Sequence, residues 1–349
     1  MTEVAALAPG TAPQILEVRD LEVSFRSRVG VLGSFLGQRA SVARAVDGVS
    51  LSLAEGEILA LAGESGCGKT TLARSLMGFV RPNAGSILFE GRPLGRGGRD
   101  LQRYRRRVQM IYQDPTGALN PRQTVYESVA EGLRIHKVEG NEESLVSRAL
   151  SRAGLRPPRR FFLLYPHEFS GGQRQRVVIA GALALEPRVI LADEPVSNLD
   201  ASVRGEILAL LLQLRRESGI TMLVVTHDLG LAWTVADRVA VMYLGRIVEL
   251  GPTRRVLTQP LHPYTRALLE AVPDAGAAAP RFLAGEPPDP TRIPPGCRFH
   301  PRCPVVADGA AAAAGVEDAC RTEDLGAIEL EPQHAAACHY EAAVRRGNR

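Results

Sequence analysis

The chain has 349 residues, of which 45% are hydrophobic and 23% charged, a composition typical of globular rather than disordered or fibrous proteins. Its length predicts one large α/β domain with an appendage. A net charge of +4 at pH 7 does not require a nucleic-acid partner. No apolar run approaches the roughly 18 residues of a membrane span, and the first residues lack a secretory pattern. We therefore expect a protein that stays in the cytoplasm and is at most peripheral to a membrane.

The first part of the chain is predicted to form strands. Residues 1–14 are expected to be a loose tail, and Ile15–Phe25 then alternates apolar and polar side chains, as a half-buried strand does. Ser27–Arg44 carries glycines and serines and is expected to be a surface insertion. Ala45–Leu53 is a second strand-like stretch. The apolar run Glu57–Ala62 that follows is typical of a buried parallel strand.

Later strands alternate with helices. The apolar runs Val189–Ala192 and Thr221–Val225 are each followed by polar residues, and apolar side chains recur at helical spacing from Val125 to Leu133. Strands that alternate with helices predict a mainly parallel sheet. The segment of about 113–175 has helical periodicity without strong strands, which indicates a helical subdomain inserted in the α/β core.

The composition changes after Gly251. Alanine, proline and glycine become common, and Ala310–Ala314 is a plain alanine run. We therefore predict a core domain over about 15–255 and a C-terminal extension over 256–349, with a linker near 274–295.

A glycine-rich motif follows the apolar run that ends at Ala62. The pattern G-x-x-x-x-G-K-T lies between a strand-like and a helical stretch, the context in which it binds phosphates. Its glycines let backbone N–H groups surround phosphates, Lys69 reaches the β- and γ-oxygens, and Thr70 offers a hydroxyl to Mg²⁺. The candidate nucleotide-binding residues here are Gly63, Glu64, Ser65, Gly66, Cys67, Gly68, Lys69, Thr70 and Thr71. Cys67 is either a reactive thiol near a helix N-terminus or simply a small residue that fits the loop.

Two adjacent carboxylates end the apolar run Val189–Ala192. Because side chains alternate in direction along a strand, Asp193 and Glu194 can serve separate tasks. Asp193 would hold Mg²⁺ through water, and Glu194 would be the base that polarises the attacking water. A solvated acidic turn is the alternative, and the phosphate-binding motif makes it the less favoured one.

A serine and two glycines begin another helical stretch. Ser170 can cap that helix, and the exposed amides of Gly171 and Gly172 at its start form an anion site. A plain capped helix explains Ser170 but not the glycine pair. Gln173 completes this motif.

In their order and kind, these motifs resemble those of ABC-transporter ATPase subunits over about residues 15–255. The resemblance includes Gln113 in MIYQDP, Ser197–Asp200 and His227 after a strand. The resemblance is narrower to oligopeptide/dipeptide importer ATPases. The segments that carry it are YPHEFSGGQRQRV, QDPTGALNP, HPYTRAL from His262, GC at 296–297 and PRCP at 301–304. It then covers nearly the whole chain. The implied fold is an α/β P-loop ABC ATPase core, a mainly parallel sheet with antiparallel strands, plus an inserted helical subdomain and a small cysteine-containing C-terminal extension.

The resemblance implies roles for residues outside the glycine-rich loop. Gln113 would contact Mg²⁺ and sense the transmembrane partner, and His227 would grip the γ-phosphate. Phe169–Gln173 would cover the γ-phosphate of ATP held by the opposite subunit, and Ser197–Asp200 would cross the dimer interface. Phe25, at the end of the first strand, is the expected aromatic that stacks on adenine.

Three positions depart from the family pattern. Phe25 stands where tyrosine is frequent, Phe169 where leucine is usual and Asn198 where alanine is common. The apolar exchange at Phe169 is expected to be tolerated, and Asn198 affects only fine interface contacts. Without the other motifs, His227 would be interpreted as a structural hydrogen-bonder.

Four of the five cysteines lie in the C-terminal extension: Cys297, Cys303, Cys320 and Cys338. Because the cytosol keeps thiols reduced, this cluster indicates a metal rather than disulfides. Structural zinc sites usually pair cysteines two to four residues apart, and no such pair occurs here. We therefore expect a structural [4Fe–4S] cluster. Zinc, with His300 or His339 as substitute ligands, and free thiols are the alternatives.

The resemblance implies an ATPase that uses ATP and Mg²⁺ to drive peptide import at the cytoplasmic face of the membrane. The expected partners are two transmembrane permease subunits, a second ATP-binding subunit that is more often a paralogue, and an extracytoplasmic solute-binding protein. The alternative is a soluble ABC ATPase acting on nucleic acid or ribosomes, a class that usually carries two cassettes. This chain has one such motif, and its basic run Arg103–Arg107 is interpreted as a solvated face, without nucleic acid.

Overall fold

Two units make up the part of the chain that the computed structural model describes, residues 13–26, 41–95, 97–271, 285–286 and 288–347. The first comprises the described parts of Met1–Ser52, Leu59–Pro93 and Thr226–Arg349, and the second comprises those of Leu53–Ile58 and Leu94–Val225. The expected tail, most of the expected insertion and most of the expected linker lie outside the described residues.

The described strands, in chain order, are β1 (Gln14–Arg26), β2 (Val42–Ala54), β3 (Ile58–Ala62), β4 (Ala84–Phe89), β5 (Arg92–Pro93), β6 (Val108–Ile111), β7 (Val189–Asp193), β8 (Thr221–Thr226), β9 (Arg238–Tyr243), β10 (Arg246–Pro252), β11 (Ile328–Glu331) and β12 (His334–Ala336). The described α-helices are α1 (Lys69–Leu76), α2 (Gly98–Arg107), α3 (Pro115–Ala118), α4 (Val125–Ile135), α5 (Glu142–Arg152), α6 (Gly171–Ala184), α7 (Ala201–Ser218), α8 (Leu229–Val235), α9 (Thr253–Thr258), α10 (Pro263–Glu270), α11 (Pro304–Ala307), α12 (Ala310–Ala313), α13 (Glu317–Thr322) and α14 (His339–Gly347). Short 3-10 helices lie at Pro158–Phe161, Pro166–Glu168 and His300–Arg302.

The first unit contains an antiparallel sheet in the order β2-β1-β4-β5. The alternation predicted for β1 is present, with Leu16 and Val18 buried on one side of an irregularity and Leu21 and Val23 on the other. Between positions 19 and 22 the pairing of β1 with β4 shifts register. This shift explains why the buried positions change from even to odd numbers.

A second run of strands in the first unit has the order β11-β12-β10-β9-β3. β3 and β9 are parallel, and the other pairs are antiparallel. Every residue of β3 and β9 is buried, as in strands covered on both faces. Glu249 of β10 lies opposite Ala336 of β12, so the C-terminal extension continues this run directly.

The second unit contains the parallel strands β8, β7 and β6, in that order. β7 and β8 are buried throughout, as their apolar runs predict. The segment 112–188, all of it described, contains no strand, and α4 and α5 both pack on α6. Val125, Val129 and Leu133 form the buried face of α4, which the helical spacing predicts.

The cysteine-containing extension is more regular than its sequence suggests. Cys320 lies within α13, and Cys303 immediately precedes α11. Helices of four to six residues are too short to show a periodic pattern, which is why the sequence does not reveal them.

Three aromatic rings anchor the extension to β9. The ring of Tyr243, at the end of β9, lies 4.6 Å from that of Tyr264 and 5.3 Å from that of Phe299. Tyr264 and Phe299 are themselves 5.3 Å apart, and all three side chains are fully buried. Each such pair contributes about 0.5–1.5 kcal/mol beyond its area burial, so the extension is part of the unit's core.

A buried carboxylate adds a polar anchor. The Glu249 side chain accepts hydrogen bonds from the backbone N–H of Leu261 at 2.8 Å and of His262 at 2.9 Å. Its Oε1 also lies 2.7 Å from His334 Nε2, and both side chains are fully buried. Because a buried charge needs partners of this kind, Glu249 fixes the path of the chain from β10 into α10 and β12.

His262 gives the first testable prediction. Its Nδ1 caps α10 by accepting from the Tyr264 N–H at 3.1 Å, and burial lowers the pKa of His262 to about 4, although Glu249 opposes this. A histidine in the unfolded chain has a pKa of 6.5. Between that pH and about 4, His262 is therefore protonated in the unfolded chain but neutral in the folded chain. The stability contributed by neutral His262 is therefore complete above pH 6.5 and lost as the pH falls towards 4, by up to about 3 kcal/mol.

The variant His262→Asn isolates this effect, because asparagine also caps helices but does not titrate. Urea unfolding between pH 6.5 and 4 should show a shallower loss of unfolding free energy for His262→Asn than for the wild type. Equal slopes in the two proteins would contradict the assignment.

Candidate functional site

The glycine-rich loop connects β3 to α1 within the first unit. Gly63 and Gly68 adopt positive φ angles of 150° and 111°. A Cβ at Gly63 would lie 2.2 Å from the Met242 carbonyl oxygen, and one at Gly68 would lie 2.0 Å from the Ala45 carbonyl oxygen. Both positions therefore exclude any side chain, and the loop lies directly against the neighbouring backbone.

Lys69 lies inside this loop. Its Nζ donates to the carbonyl oxygens of Gly63 at 2.7 Å and Glu64 at 2.8 Å, and the side chain is buried. Thr70 and Thr71 follow in the first turn of α1. A lysine held inside a glycine-rich loop that leads into a helix is the arrangement that receives a polyphosphate.

Cys67 is buried within the loop, with 6% of its surface exposed. Burial raises the pKa of its thiol, although Lys69 opposes the shift. Both observations favour the interpretation of Cys67 as a small residue that fits the loop.

Two further residues assigned from the resemblance also belong to the first unit. The Phe25 ring, at the end of β1, is 48% exposed, which leaves an aromatic face for stacking. His227 follows β8 and is exposed, and Asp228 next to it caps α8. Their contacts with nucleotide stay predictions.

The second unit holds the two adjacent carboxylates. Asp193 is the buried last residue of β7, whereas Glu194 begins the following turn with φ of 46°, a left-handed conformation that costs a non-glycine residue energy. The Glu194 N–H donates to the Val225 carbonyl oxygen at 3.0 Å. The two side chains thus occupy different environments, as separate roles require.

Gln113 and the turn after Glu194 form one network with this carboxylate. Gln113 Nε2 donates to Glu194 Oε2 at 3.0 Å, and Asn198 Nδ2 donates to the Gln113 carbonyl oxygen at 3.4 Å. Ser197 Oγ donates to the Glu194 carbonyl oxygen at 3.2 Å. Asp200 occupies the N-cap position of α7 without a side-chain capping bond. The structure therefore brings three sequence-predicted motifs together around Glu194.

The serine–glycine motif begins α6 as expected. Ser170 Oγ accepts from the Gln173 N–H at 3.3 Å, and Gln173 Oε1 accepts from the Ser170 N–H at 3.0 Å, a reciprocal capping box. A Cβ at Gly172 would lie 2.4 Å from Val203 Cγ1 of α7, so this glycine also permits close helix packing. Phe169 is buried, with its ring 5.9 Å from that of Phe161, which agrees with a tolerated apolar exchange.

Sequence reasoning missed two side chains that contact the glycine-rich loop. Tyr264 Oη accepts from the Glu64 N–H at 2.9 Å, and Arg302 forms two hydrogen bonds with the Glu64 carboxylate. Both residues belong to segments that mark the family resemblance, HPYTRAL and PRCP, but neither segment carries a signal for what it touches.

The four C-terminal cysteines line one cavity with His262, Phe299 and His339. The Cys297 N–H donates to the Cys320 carbonyl oxygen at 2.9 Å, a close approach beside Gly296, where a Cβ would lie 2.6 Å from the Arg321 carbonyl carbon. Burial raises the pKa of all four thiols, to about 12 for Cys297 and Cys338.

No group of three or more His, Cys, Asp or Glu side chains in the described ranges is arranged to hold a metal ion. The iron–sulfur cluster and its zinc alternative therefore stay predictions.

Comparison with known proteins identifies the family. The profile of the ABC transporter family matches residues 46–197, and that of the oligopeptide/dipeptide transporter C-terminal region matches residues 248–309. The oligopeptide transport ATP-binding protein AppF of Bacillus subtilis is 41% identical to this chain, over 93% of the chain and 97% of AppF. The chain belongs to the oligopeptide/dipeptide family of ABC-transporter ATP-binding proteins.

Further relatives of this ABC protein support the same family assignment. The oligopeptide transport ATP-binding protein OppF of Salmonella typhimurium is 41% identical over 91% of the chain and 97% of OppF. Among solved structures, CbiO1 of Clostridium perfringens, part of the CbiONQ transporter complex, is 30% identical with a TM-score of 0.60 over 70% of this chain and 91% of its own. A dimeric ATP-binding cassette in a post-hydrolysis state with ADP and phosphate is 28% identical, with a TM-score of 0.59 over 68% of this chain and 99% of its own.

These neighbours confirm the predicted α/β ABC ATPase fold, and the family membership makes the ABC protein an ATPase. Within the ranges that the structure describes, no helix combines the length and the apolar character that crossing a membrane requires.

The second prediction concerns Glu194. The change Glu194→Gln keeps a partner for Gln113 but removes the basic carboxylate, so ATP should still bind while hydrolysis falls at least about 100-fold. Phosphate release and equilibrium nucleotide binding measure the two effects separately. The comparison variant Lys69→Ala should instead lose nucleotide affinity, because it removes a direct charge contact with phosphate. Hydrolysis by Glu194→Gln at the wild-type rate would exclude the role as base.

Proposed function

We propose that this ABC protein hydrolyses ATP to drive the import of di- or oligopeptides, as the nucleotide-binding subunit of a membrane transporter. One observation carries the proposal: a cassette region and an oligopeptide-transporter C-terminal region occur in the same chain. Two relatives described as oligopeptide transport ATP-binding proteins align with it over 97% of their lengths.

The residues of the cassette divide the ATPase work. The loop of Gly63–Gly68 and Lys69 bind the phosphates, and Glu194 orients and polarises the attacking water. Thr70, Gln113 and Asp193 are the residues that would offer Mg²⁺ the hard oxygen atoms it prefers. The amide nitrogen of Gln113 donates to Glu194, which would leave its amide oxygen for this role. When bound, Mg²⁺ neutralises charge on the phosphates.

A second ATP-binding subunit completes the site. The capped N-terminus of α6, with Ser170 and Gly171, presents backbone N–H groups that suit a γ-phosphate held by the other subunit. Asp200 and the turn before α7 would lie at the interface. A neighbouring structure is described as a dimeric cassette with ADP and phosphate, which supports this arrangement. The second subunit is a paralogue in this proposal.

Two transmembrane permeases and an extracytoplasmic solute-binding protein are the remaining partners. The helical segment between β6 and β7 carries apolar side chains in water, with Leu163 81% and Tyr165 39% exposed. Such side chains suit contact with another protein, and we assign the permeases to this surface. The protein would then lie on the cytoplasmic face of the membrane, as a peripheral subunit.

Reconstitution tests this function, which gives the third prediction. Proteoliposomes containing the permeases, both ATP-binding subunits and the solute-binding protein should take up labelled peptide only with ATP. Glu194→Gln should abolish uptake, because it removes the base. Leu163→Glu should lower uptake strongly while nucleotide binding stays, because a buried charge at the permease contact is costly.

The exposed apolar Val344, in α14 and outside this segment, provides a matched control, because Val344→Glu should leave peptide uptake unchanged. Absence of peptide uptake together with ATPase activity that rises on addition of RNA or ribosomes would favour the soluble alternative instead.

We also propose that the four C-terminal cysteines hold a structural [4Fe–4S] cluster. All four thiols share one cavity, and the closeness of other cysteines adds to the burial that keeps Cys297, Cys320 and Cys338 protonated. A positively charged iron group would stabilise the thiolates there. No two of the four cysteines form the closely spaced C-x₂₋₄-C pair that structural zinc sites usually have, and this spacing supports the cluster over zinc.

The fourth prediction is the metal content of the purified protein. Anaerobic purification should give a brown protein with iron and acid-labile sulfide, and Cys320→Ser should lose both. Cys67→Ser, at a cysteine outside the cavity, is the control that should keep them. A colourless protein with stoichiometric zinc would replace the cluster with zinc, and a metal-free folded protein would leave free thiols.

A further inference from the structure

The C-terminal extension is hydrogen-bonded to the glycine-rich loop at Glu64. Arg302 Nη1 and Nη2 donate to the two carboxylate oxygens of Glu64 at 2.9 and 3.1 Å. The Arg302 side chain is 5% exposed and that of Glu64 is 24% exposed, so water screens this pair only in part. The Tyr264 hydroxyl, from the same extension, accepts the Glu64 N–H at 2.9 Å. Both the side chain and the backbone of Glu64 are thus held.

Arg302 is itself fixed in place. Its guanidinium lies 6.0 Å from the centre of the Tyr243 ring, and Nη1 donates to Tyr243 Oη at 3.4 Å. A guanidinium keeps its charge in proteins, so the Glu64 carboxylate has a charged partner held at a fixed position.

Glu64 stands in a place where an unpaired negative charge is harmful. Its carbonyl oxygen accepts from Lys69 Nζ at 2.8 Å, so the residue adjoins the lysine that meets the phosphates. Two further carboxylates of the extension, Glu286 and Asp289, line a cavity of about 530 Å³ together with Glu64 and Ser65. At physiological salt, charges within about 8 Å of each other still interact, so an uncompensated Glu64 carboxylate would repel a triphosphate bound by the loop.

We propose that Arg302 is a positioning residue for nucleotide binding, which neutralises and orients Glu64 so that the loop accepts a nucleoside triphosphate. The C-terminal extension thereby sets the nucleotide affinity of the cassette. This inference rests on the ATP-binding part of the proposed function and not on the transport of peptides. It concerns the Glu64 side chain, whereas phosphate binding by the loop is a property of its backbone and Lys69.

The test measures equilibrium ATP binding by the full-length chain, without partners or transport. Arg302→Gln should weaken ATP binding about tenfold at low ionic strength, because it leaves the Glu64 carboxylate uncompensated. The difference in ATP affinity between Arg302→Gln and the wild type should become smaller at high salt. In the same variant, KM for ATP should rise while kcat changes less than twofold. The double variant Glu64→Gln/Arg302→Gln should regain most of the lost affinity, since both charges are then absent.

Two further variants keep the result interpretable. Arg302→Lys keeps the positive charge but loses the two parallel hydrogen bonds of the guanidinium to Glu64, so it should weaken ATP binding about threefold. This variant replaces Arg302→Gln in the test if Arg302→Gln fails to fold. Arg345→Gln removes another arginine–glutamate pair of the same extension, with Glu331, and should leave ATP binding unchanged. Thermal unfolding without nucleotide separates loss of stability from loss of affinity.

Three results would overturn the proposal: wild-type affinity in folded Arg302→Gln, a double variant as weak as Arg302→Gln, or a loss that does not depend on salt. If instead no variant or wild-type protein binds ATP, the proposed function fails first.

Discussion

The contact of the glycine-rich loop with its neighbouring backbone is the constraint on which nucleotide chemistry in this protein depends. Gly63 and Gly68 lie against the carbonyl oxygens of Met242 and Ala45, with no space for a Cβ. The loop that results surrounds Lys69, whose ammonium donates to the carbonyl oxygens of Gly63 and Glu64. A positive charge is thereby fixed at the start of α1, beside the loop that binds phosphates in this motif.

In the second unit, backbone conformation and hydrogen bonds hold the carboxylate of Glu194 in place. Glu194 is held in a left-handed conformation, and its carboxylate meets the amide of Gln113. Ser197 and Asn198 bind the backbone on either side of this pair. Movement of the segment that carries Gln113 would therefore change the hydrogen bond that the Glu194 carboxylate accepts. A short hydrogen-bonded path of this kind can couple the position of one segment to a neighbouring carboxylate.

The sequence predicts the local parts of this structure well and the long-range parts poorly. The strands at β7 and β8, the buried face of α4 and the capped start of α6 follow from apolar runs, helical spacing and a Ser-x-x-Gln pattern, all of which act over a few residues. The pair of Arg302 and Glu64 joins residues 238 apart, and no periodicity carries that information. The sequence also does not predict the pairing of β12 with β10, because the three residues of β12 are too few to show an alternating pattern.

The extension that follows the cassette also has a consequence for how the protein can be divided. Its strand β12 covers β10, and its rings Tyr264 and Phe299 cover Tyr243. A cassette cut after β10 would present an open strand edge and a bare aromatic surface, the two features that lead proteins to self-associate. The second family region begins within β10, so it does not mark a point at which the chain can be divided into parts that fold separately. A minimal cassette taken from this chain would aggregate.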